Sequence, residues 1–279
     1  MLSDKWLKQL PVAPIDRLVS VSGGDINDTY RIASNHKNYF LKVHDHRPGN
    51  FFAVEAEGLK RLSQAARTPQ VIDQGQIGTD DFLILEWIAA GRRRNERALG
   101  EMLARVHRVT SDSFGMDFDN FAGGLPQSNQ REKNWTAFYL KQRIEPQIEI
   151  AKRRGRWNAR RQKKYERFAE RFRRAYRTRQ VVPSLLHGDL WGGNVMYDEA
   201  GDPVLIDPSV FYGNREMDIA MTQLFGGFGA DFYRSYNEAY PLDEGWQRRI
   251  AWYQLYYLLV HLNLFGEGYG AAMERALES

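Results

Sequence analysis

Residues 186–208 hold the densest chemistry of the chain, Leu186-His-Gly-Asp-Leu-Trp-Gly-Gly-Asn-Val-Met-Tyr-Asp-Glu-Ala-Gly-Asp-Pro-Val-Leu-Ile-Asp-Pro208. Asp189 and Asn194 lie five positions apart, and Asp207 follows thirteen later. Transfer of a phosphoryl group needs an oriented hydroxyl nucleophile and cations that neutralise charge on the phosphate oxygens. Asp189 suits the first need: a carboxylate accepts the hydroxyl's hydrogen bond and, in the transition state, its proton. Asn194 offers a carbonyl oxygen and Asp207 a carboxylate. These are hard donors of the kind magnesium takes, usually only one or two from protein. The five-residue interval is also that of the phosphoryl-transfer motif H-R-D-x-x-x-x-N. Gly188, Gly192 and Gly193 let the backbone turn sharply beside a ligand.

Positioning these groups is work for the elements around them. Val195-Met-Tyr197 and Val204-Leu-Ile206 are apolar runs flanking the turn-rich Asp198-Glu-Ala-Gly-Asp-Pro203. They read as a small β-hairpin with Asn194 at its entrance and Asp207 at its exit, so that both ligands face one metal. Asp and Asn beside glycines are often plain turn residues. Asp198 and Asp202 fit that reading, whereas the three spaced residues between His187 and Pro208 exceed it.

Earlier in the chain, 18–21, 29–32, 39–43 and 82–88 read as strands and 53–62 as a helix. Lys42 alternates with Leu41 and Val43 and shares a face with Phe40. A lysine on a half-buried strand needs a partner, and Glu55 or Glu57 in the next helix can supply it, as in the ion pair that positions α- and β-phosphates. Ser22-Gly-Gly-Asp-Ile-Asn-Asp28 lies between two strands, where Gly23 and Gly24 can bring backbone N–H groups onto phosphates. The same residues also make an ordinary hairpin turn. No G-x-x-x-x-G-K-[ST] occurs. Glu86-Trp-Ile88 closes the last strand, and the backbone of Glu86 and Ile88 is placed to meet an adenine edge. Beyond Gly91 the pattern is mostly helical: 95–109, 132–151, 158–179, 215–239 and 243–265. The expected architecture is α+β and bilobal: a small β-rich nucleotide-binding lobe at 1–88, a linker at 89–91 and a larger, mostly helical catalytic and substrate lobe at 92–279.

Composition suits a globular enzyme: 279 residues, 43% hydrophobic and 27% charged. No stretch approaches the length of a membrane-spanning helix and the first residues lack a signal-peptide core, so a cytoplasmic protein is expected. The absence of cysteine excludes disulfides, thiol chemistry and cysteine-ligated zinc. Net charge is +4, and residues 152–179 concentrate it, with fourteen Lys or Arg against Glu166 and Glu170. One reading is a surface for nucleic acid or an acidic partner. The other, which we favour, is a solvated helix with a buried stripe of Tyr165, Phe168, Phe172 and Ala175 or Tyr176. Such a surface also helps gather an anionic nucleotide.

His187-Gly-Asp-Leu-Trp-Gly-Gly-Asn194 and Ile206-Asp-Pro208 resemble the HGDLWxGN and IDP signatures of the fructosamine (ketosamine-3-) kinases, relatives of aminoglycoside phosphotransferases and choline kinases. Tyr212-Gly-Asn-Arg-Glu-Met-Asp-Ile-Ala-Met221 and Leu224-Phe-Gly-Gly-Phe228 are similar to further family segments. So are Phe114–Asn120, Pro126-Gln127 with Asn129, Tyr253–Tyr256 and His261–Gly266. The resemblance runs along the whole chain, and the Trp after HGDL is its most discriminating mark. It implies a protein-kinase-like fold and ATP- and Mg2+-dependent phosphorylation of ketosamines at the sugar 3-hydroxyl. The acceptors are fructosamine or ribulosamine adducts of amines or lysine, and the activity is a deglycation repair.

By motif position the resemblance implies that Asp189 is the base, that Asn194 and Asp207 are the metal ligands and that Lys42 pairs with Glu55. Glu55 rather than Glu57 matches, being four residues before Leu59. Trp191, His261 and Asn263 become candidate substrate contacts, the last two equally readable as core, and Asp218 is expected to brace the loop. Asp25 stands where many members carry a redox-active cysteine. It is expected to face solvent, and a monomer is expected rather than a disulfide-linked dimer. The expected partner is the small-molecule or glycated-lysine substrate, with no specific nucleic acid and no membrane. The alternatives are a kinase for another hydroxyl compound (an aminoglycoside, choline or a sugar) and a basic polyanion-binding protein with an inactive kinase core.

Overall fold

The computed structural model describes residues 2–21, 28–45 and 51–279. A short helix α1 (Asp4–Leu7), capped by Ser3, precedes β1 (Arg17–Ser20), β2 (Asp28–Ser34) and β3 (Lys37–Asp45). Asn35 and His36, both left-handed at φ 49° and 62°, form the two-residue turn between β2 and β3. That turn has the twist an antiparallel hairpin favours. Helix α2 (Phe51–Leu62), β4 (Val71–Ile77) and β5 (Asp80–Glu86) complete an antiparallel sheet in the order β1-β2-β3-β5-β4. The register Thr29–Lys42–Leu83 decides what each face does. Ile32, Leu41, Val43, Phe82 and Ile84 bury the outer face against Trp6 and Leu10. On the face of Lys42, Leu83 and Leu85 pack against Phe52 and Leu59 of α2.

The remainder is mainly helical. Helix α3 (Glu96–His107) is capped by Asn95, whose Oδ1 accepts from the Ala98 N–H at 3.1 Å. A two-stranded ribbon, β6 (Asn120–Ala122) and β7 (Leu125–Gln127), leads to α4 (Trp135–Phe138). This helix continues through a π-helical turn, Tyr139–Ile144, into α5 (Glu145–Arg153). After α6 (Ala159–Ala175) come β8 (Ser184–Leu186), a 3-10 turn at Gly192–Asn194, β9 (Val195–Tyr197), β10 (Pro203–Leu205) and β11 (Phe211–Gly213), the last paired with β8. Helices α7 (Glu216–Leu224), α8 (Ala230–Ala239), α9 (Trp246–Phe265) and α10 (Gly270–Glu278) finish the chain. One core runs through these helices and the β9–β10 hairpin. The small sheet with α2 on one side and the larger helical body on the other make the expected α+β, bilobal arrangement.

Several elements depart from the sequence reading. The single helix expected at 215–239 is two, because Gly226 and Gly227 take φ of 72° and 94° and end α7. Helix α1, strands β4, β6, β7, β8 and β11 and helix α10 were not read at all. The basic segment is a helix burying Tyr165, Phe168 and Phe172, with Tyr176 rather than Ala175 as the last buried position. Part of its charge is used inside the fold: Arg161 pairs with Glu267 and with Glu274 at 3.0 Å, and Lys164 with Glu274 at 2.5 Å and Glu278 at 2.9 Å. Among the described residues no helix is long and apolar enough to cross a membrane.

Candidate active site

The β9–β10 ribbon pairs Val195 with Leu205 and Tyr197 with Pro203. Asp198 closes its turn, accepting from the Asp202 N–H through Oδ1 at 2.9 Å. Asn194 sits at the entrance, where its carbonyl accepts from Ile206 N–H at 3.1 Å, and Asp207 follows just past the exit. Asp207 has φ 52°, a conformation that aspartate tolerates better than most residues. On the other side Ser209 N–H donates to the His187 carbonyl at 2.8 Å, tying the Asp189 loop to the Asp207 segment. Gly188 must be glycine at that crossing: its φ is 84°, and a Cβ would lie 2.0 Å from the Ser209 carbonyl oxygen.

These contacts bring the two lobes' charges together. Lys42 Nζ lies 2.7 Å from Glu55 Oε1 and 2.6 Å from Asp207 Oδ1. Burial alone lowers a lysine's pKa, but Asp207 and Glu55 outweigh it and hold Lys42 protonated. Burial pushes the Glu55 carboxyl up, against the pull of Lys42. Glu57 instead pairs with Arg61 on the surface at 2.7 Å, so Glu55 is the carboxylate that reaches Lys42. Asp189 accepts from Asn194 Nδ2 at 3.1 Å, and the same amide reaches the Asp189 carbonyl at 2.8 Å. Burial pushes the Asp189 carboxyl up to about 7, helped by the charges of Asp207 and Asp218 and opposed by the Asn194 bond. A carboxylate poised near neutrality is suited to general-base work.

Behind the loop, Asp218 on α7 is fully buried and accepts from the backbone N–H of His187 at 2.7 Å and of Gly188 at 2.9 Å. It also meets His107 Nε2 at 3.1 Å, while His107 Nδ1 faces the Tyr236 hydroxyl at 2.8 Å. Nε2–H therefore donates to the carboxylate and Nδ1 accepts from the phenol. His187 Nε2–H donates to the Ile206 carbonyl at 2.9 Å, and its Nδ1 accepts from Asp189 N–H. Burial lowers the pKa of both imidazoles.

The unfolded chain thus binds protons near pH 6.5 that the folded protein refuses. Stability is full above that pH and falls as pH drops below it, with a limiting slope of about 1.4 kcal/mol per pH unit per histidine. The raised Asp189 and Glu55 carboxyls oppose this over the same range, so the rings are followed directly. NMR titration between pH 8 and 5 is expected to show both imidazoles neutral well below pH 6.5. A ring that protonates near pH 6.5 in the folded protein contradicts its assignment as buried and neutral.

A cavity of about 680 Å3 opens over these groups. Lys42, Glu55, Asp189, Asn194 and Asp207 line it, together with Trp191, 43% exposed, and His261. Not every sequence candidate gathers here. Asn263 is buried and donates to Gln147 Oε1 at 2.9 Å and to the Gln147 carbonyl at 2.8 Å, so of its two readings the structure selects core. Glu86 and Ile88 do not line the cavity, and the Glu86 carboxylate is held by Arg67 at 2.5 Å. Gly23, Gly24 and Asp25 lie outside the described residues.

Conversely, Asn120, Phe121, Phe225, Tyr256, Phe265 and Tyr269 line the cavity without having been read as site residues. Asn120 donates to the Val210 carbonyl at 2.9 Å and accepts from Gln127 at 2.7 Å and Asn129 at 3.0 Å. Arg143 anchors Asn129 at 2.6 Å, and the Tyr256 hydroxyl donates to Gln127. This buried polar floor gives the 114–129 motif pieces a structural reason, which no local spacing carries.

Comparison with known proteins places the chain. The family model described as fructosamine kinase matches residues 2–279. A "Probable ketoamine kinase" of Lactiplantibacillus plantarum is 48% identical over 276 residues, covering 99% of this chain and 98% of that protein. The "Protein-ribulosamine 3-kinase, chloroplastic" of Arabidopsis thaliana is 34% identical over 261 residues, 91% of this chain and 79% of its own length. A solved structure of a candidate fructosamine-3-kinase from Thermobifida fusca superposes with a TM-score of 0.87 at 30% identity, covering 98% of this chain and 96% of that one.

Proposed function

The chain belongs to the fructosamine kinase family, and from that premise we propose that it transfers the γ-phosphoryl group of ATP to the 3-hydroxyl of ketosamines. The observation that carries this reading is the convergence of Lys42, Glu55 and Asp207 from the small lobe and the hairpin onto one end of a cavity whose floor is Asp189. We place the nucleotide-binding lobe at residues 1–88, the hinge at 89–91 and the acceptor lobe at 92–279.

In this mechanism Asp189 accepts the hydrogen bond of the acceptor hydroxyl and orients its oxygen lone pair toward the γ-phosphorus. As the oxygen–phosphorus bond forms and the bond to the β-phosphate oxygen breaks, the hydroxyl proton passes to Asp189 and ADP departs. Lys42, fixed by Glu55, is the cation placed for the α- and β-phosphates.

The donor set fits magnesium. Asn194 uses its Nδ2 on Asp189, which leaves Oδ1, and Asp207 engages Lys42 through Oδ1, which leaves Oδ2. Two such oxygens suit an ion that takes most of its ligands from phosphate and water. Bound there, Mg2+ supplies neutralisation of phosphate charge. A soluble cytoplasmic enzyme acting on free or lysine-linked adducts fits this chemistry.

An acceptor panel with ATP and magnesium tests the reading: fructosamine- and ribulosamine-lysine against an aminoglycoside, choline and free sugars. Phosphate appearing at the ketosamine 3-hydroxyl is the expected result. Transfer to another acceptor with none to any ketosamine sinks it.

A further inference from the structure

The mouth of the cavity carries a chemistry unlike its floor. His261, Leu264 and Phe265 fall at i, i+3 and i+4 on the last turns of α9 and so share one helix face. Phe225 meets them from the end of α7, and Tyr269 from the turn before α10. The His261 ring is the centre of the group, 4.6 Å from Phe225, 5.1 Å from Tyr269 and 5.5 Å from Phe265 between centroids.

Phe225 is 39% exposed and Phe265 58%, and both line the cavity, as does Trp191. Large aromatic side chains held open together beside a pocket mark a surface that binds something apolar. The Trp191 ring lies over Gly193, where a Cβ would come 2.3 Å from Cη2, so a larger residue there would push the ring aside. Among the described residues the charged side chains lining the cavity are Lys42, Glu55, Asp189 and Asp207, and none belongs to the aromatic group around His261. His261 donates Nδ1–H to the Tyr257 carbonyl at 2.8 Å, which leaves Nε2 as an acceptor, and burial lowers the ring's pKa.

In a ketosamine the amine nitrogen stands on C1, two carbons from the 3-hydroxyl. An acceptor with that hydroxyl at Asp189 directs the nitrogen's substituent away from the phosphates. Given the proposed function, on which this rests, we infer that Phe225, His261, Phe265 and Tyr269, with Trp191 as a platform, form a subsite for the amine's substituent. The subsite selects apolar, and above all aromatic, substituents over anionic ones. Aromatic faces also attract the ammonium of the adduct, whose N–H has an acceptor in His261 Nε2.

The test holds the sugar constant and varies the amine, comparing the fructosamines of benzylamine and of glycine. For the wild-type protein, kcat/KM for the benzylamine adduct is expected to exceed that for the glycine adduct by about 10-fold, the effect of partly burying one phenyl ring. The difference should lie mainly in KM. In Phe265→Ala and Phe225→Ala, both at exposed positions where folding is little affected, the ratio is expected to fall toward one.

Equal kcat/KM for the two adducts in the wild type, or a ratio unmoved by both substitutions, overturns the subsite. Calorimetric binding of the same adducts runs in parallel. Should no adduct be phosphorylated, the proposed activity fails, while a benzylamine preference in binding that Phe265→Ala removes still supports the subsite. Binding without preference overturns it.

Discussion

Asp189→Asn is expected to lower kcat for the ketosamine acceptor by about 10^2- to 10^4-fold, the usual contribution of a positioned general base. The substitution keeps the shape of the side chain and its hydrogen bond to Asn194, which lies 3.1 Å away. What it removes is the group proposed to take the acceptor proton. Nucleotide binding should persist, because Lys42, Glu55 and Asp207 form their own cluster without Asp189. Stability should not fall and is expected to rise slightly, since the wild-type carboxyl is held near 7 by burial and by two neighbouring carboxylates. Single-turnover transfer, calorimetric ATP binding and urea midpoints separate these effects. Retention of more than a tenth of the wild-type turnover removes Asp189 from the proton-transfer role. Loss of ATP binding together with turnover assigns it to the nucleotide site instead.

The β9–β10 hairpin was legible because its signals are local. Turn residues at Asp198–Pro203 sit between two apolar triplets, and the ligand-type residues stand at fixed offsets from them. Local spacing alone narrowed the partner of Lys42 only to within one helical turn, and it was the family motif that singled out Glu55. Residues 55 and 57 both fall within reach in sequence, and the packing of α2 on Leu83 and Leu85 decides between them. Strand β4 escaped because an edge strand buries little: Ile77 is its one buried residue, so no alternation marks it. The break between α7 and α8 had a visible cause in Gly226-Gly227, yet apolar periodicity on both sides suggested continuity. The aromatic mouth of the cavity had no local signal. Trp191, Phe225 and Phe265 come from three elements far apart in sequence, and only tertiary packing makes them neighbours.

Asp218 shows what the scaffold contributes beside that chemistry, and Asp218→Ala is expected to destabilise the protein by about 3–5 kcal/mol, from unsatisfied buried donors at roughly 1–3 kcal/mol each. The wild-type carboxylate is fully buried and satisfies the N–H groups of His187 and Gly188 and the His107 ring. The Arg215–Tyr236–His107 chain, joined at 3.2 Å and 2.8 Å, loses its terminus as well. In the fraction that folds, the 187–189 backbone is freed, so kcat should fall while the KM for ATP changes little.

Asp218→Asn, which keeps one acceptor, should lie between Ala and wild type in both stability and kcat. A structural brace requires the two quantities to move together along that series. If Asp218→Ala unfolds at the wild-type urea midpoint but still loses kcat, Asp218 acts on the reaction directly and the brace assignment fails. The two aspartates are thereby distinguished by sign: removing the charge at 189 costs rate and spares stability, whereas removing it at 218 costs stability first and rate through it.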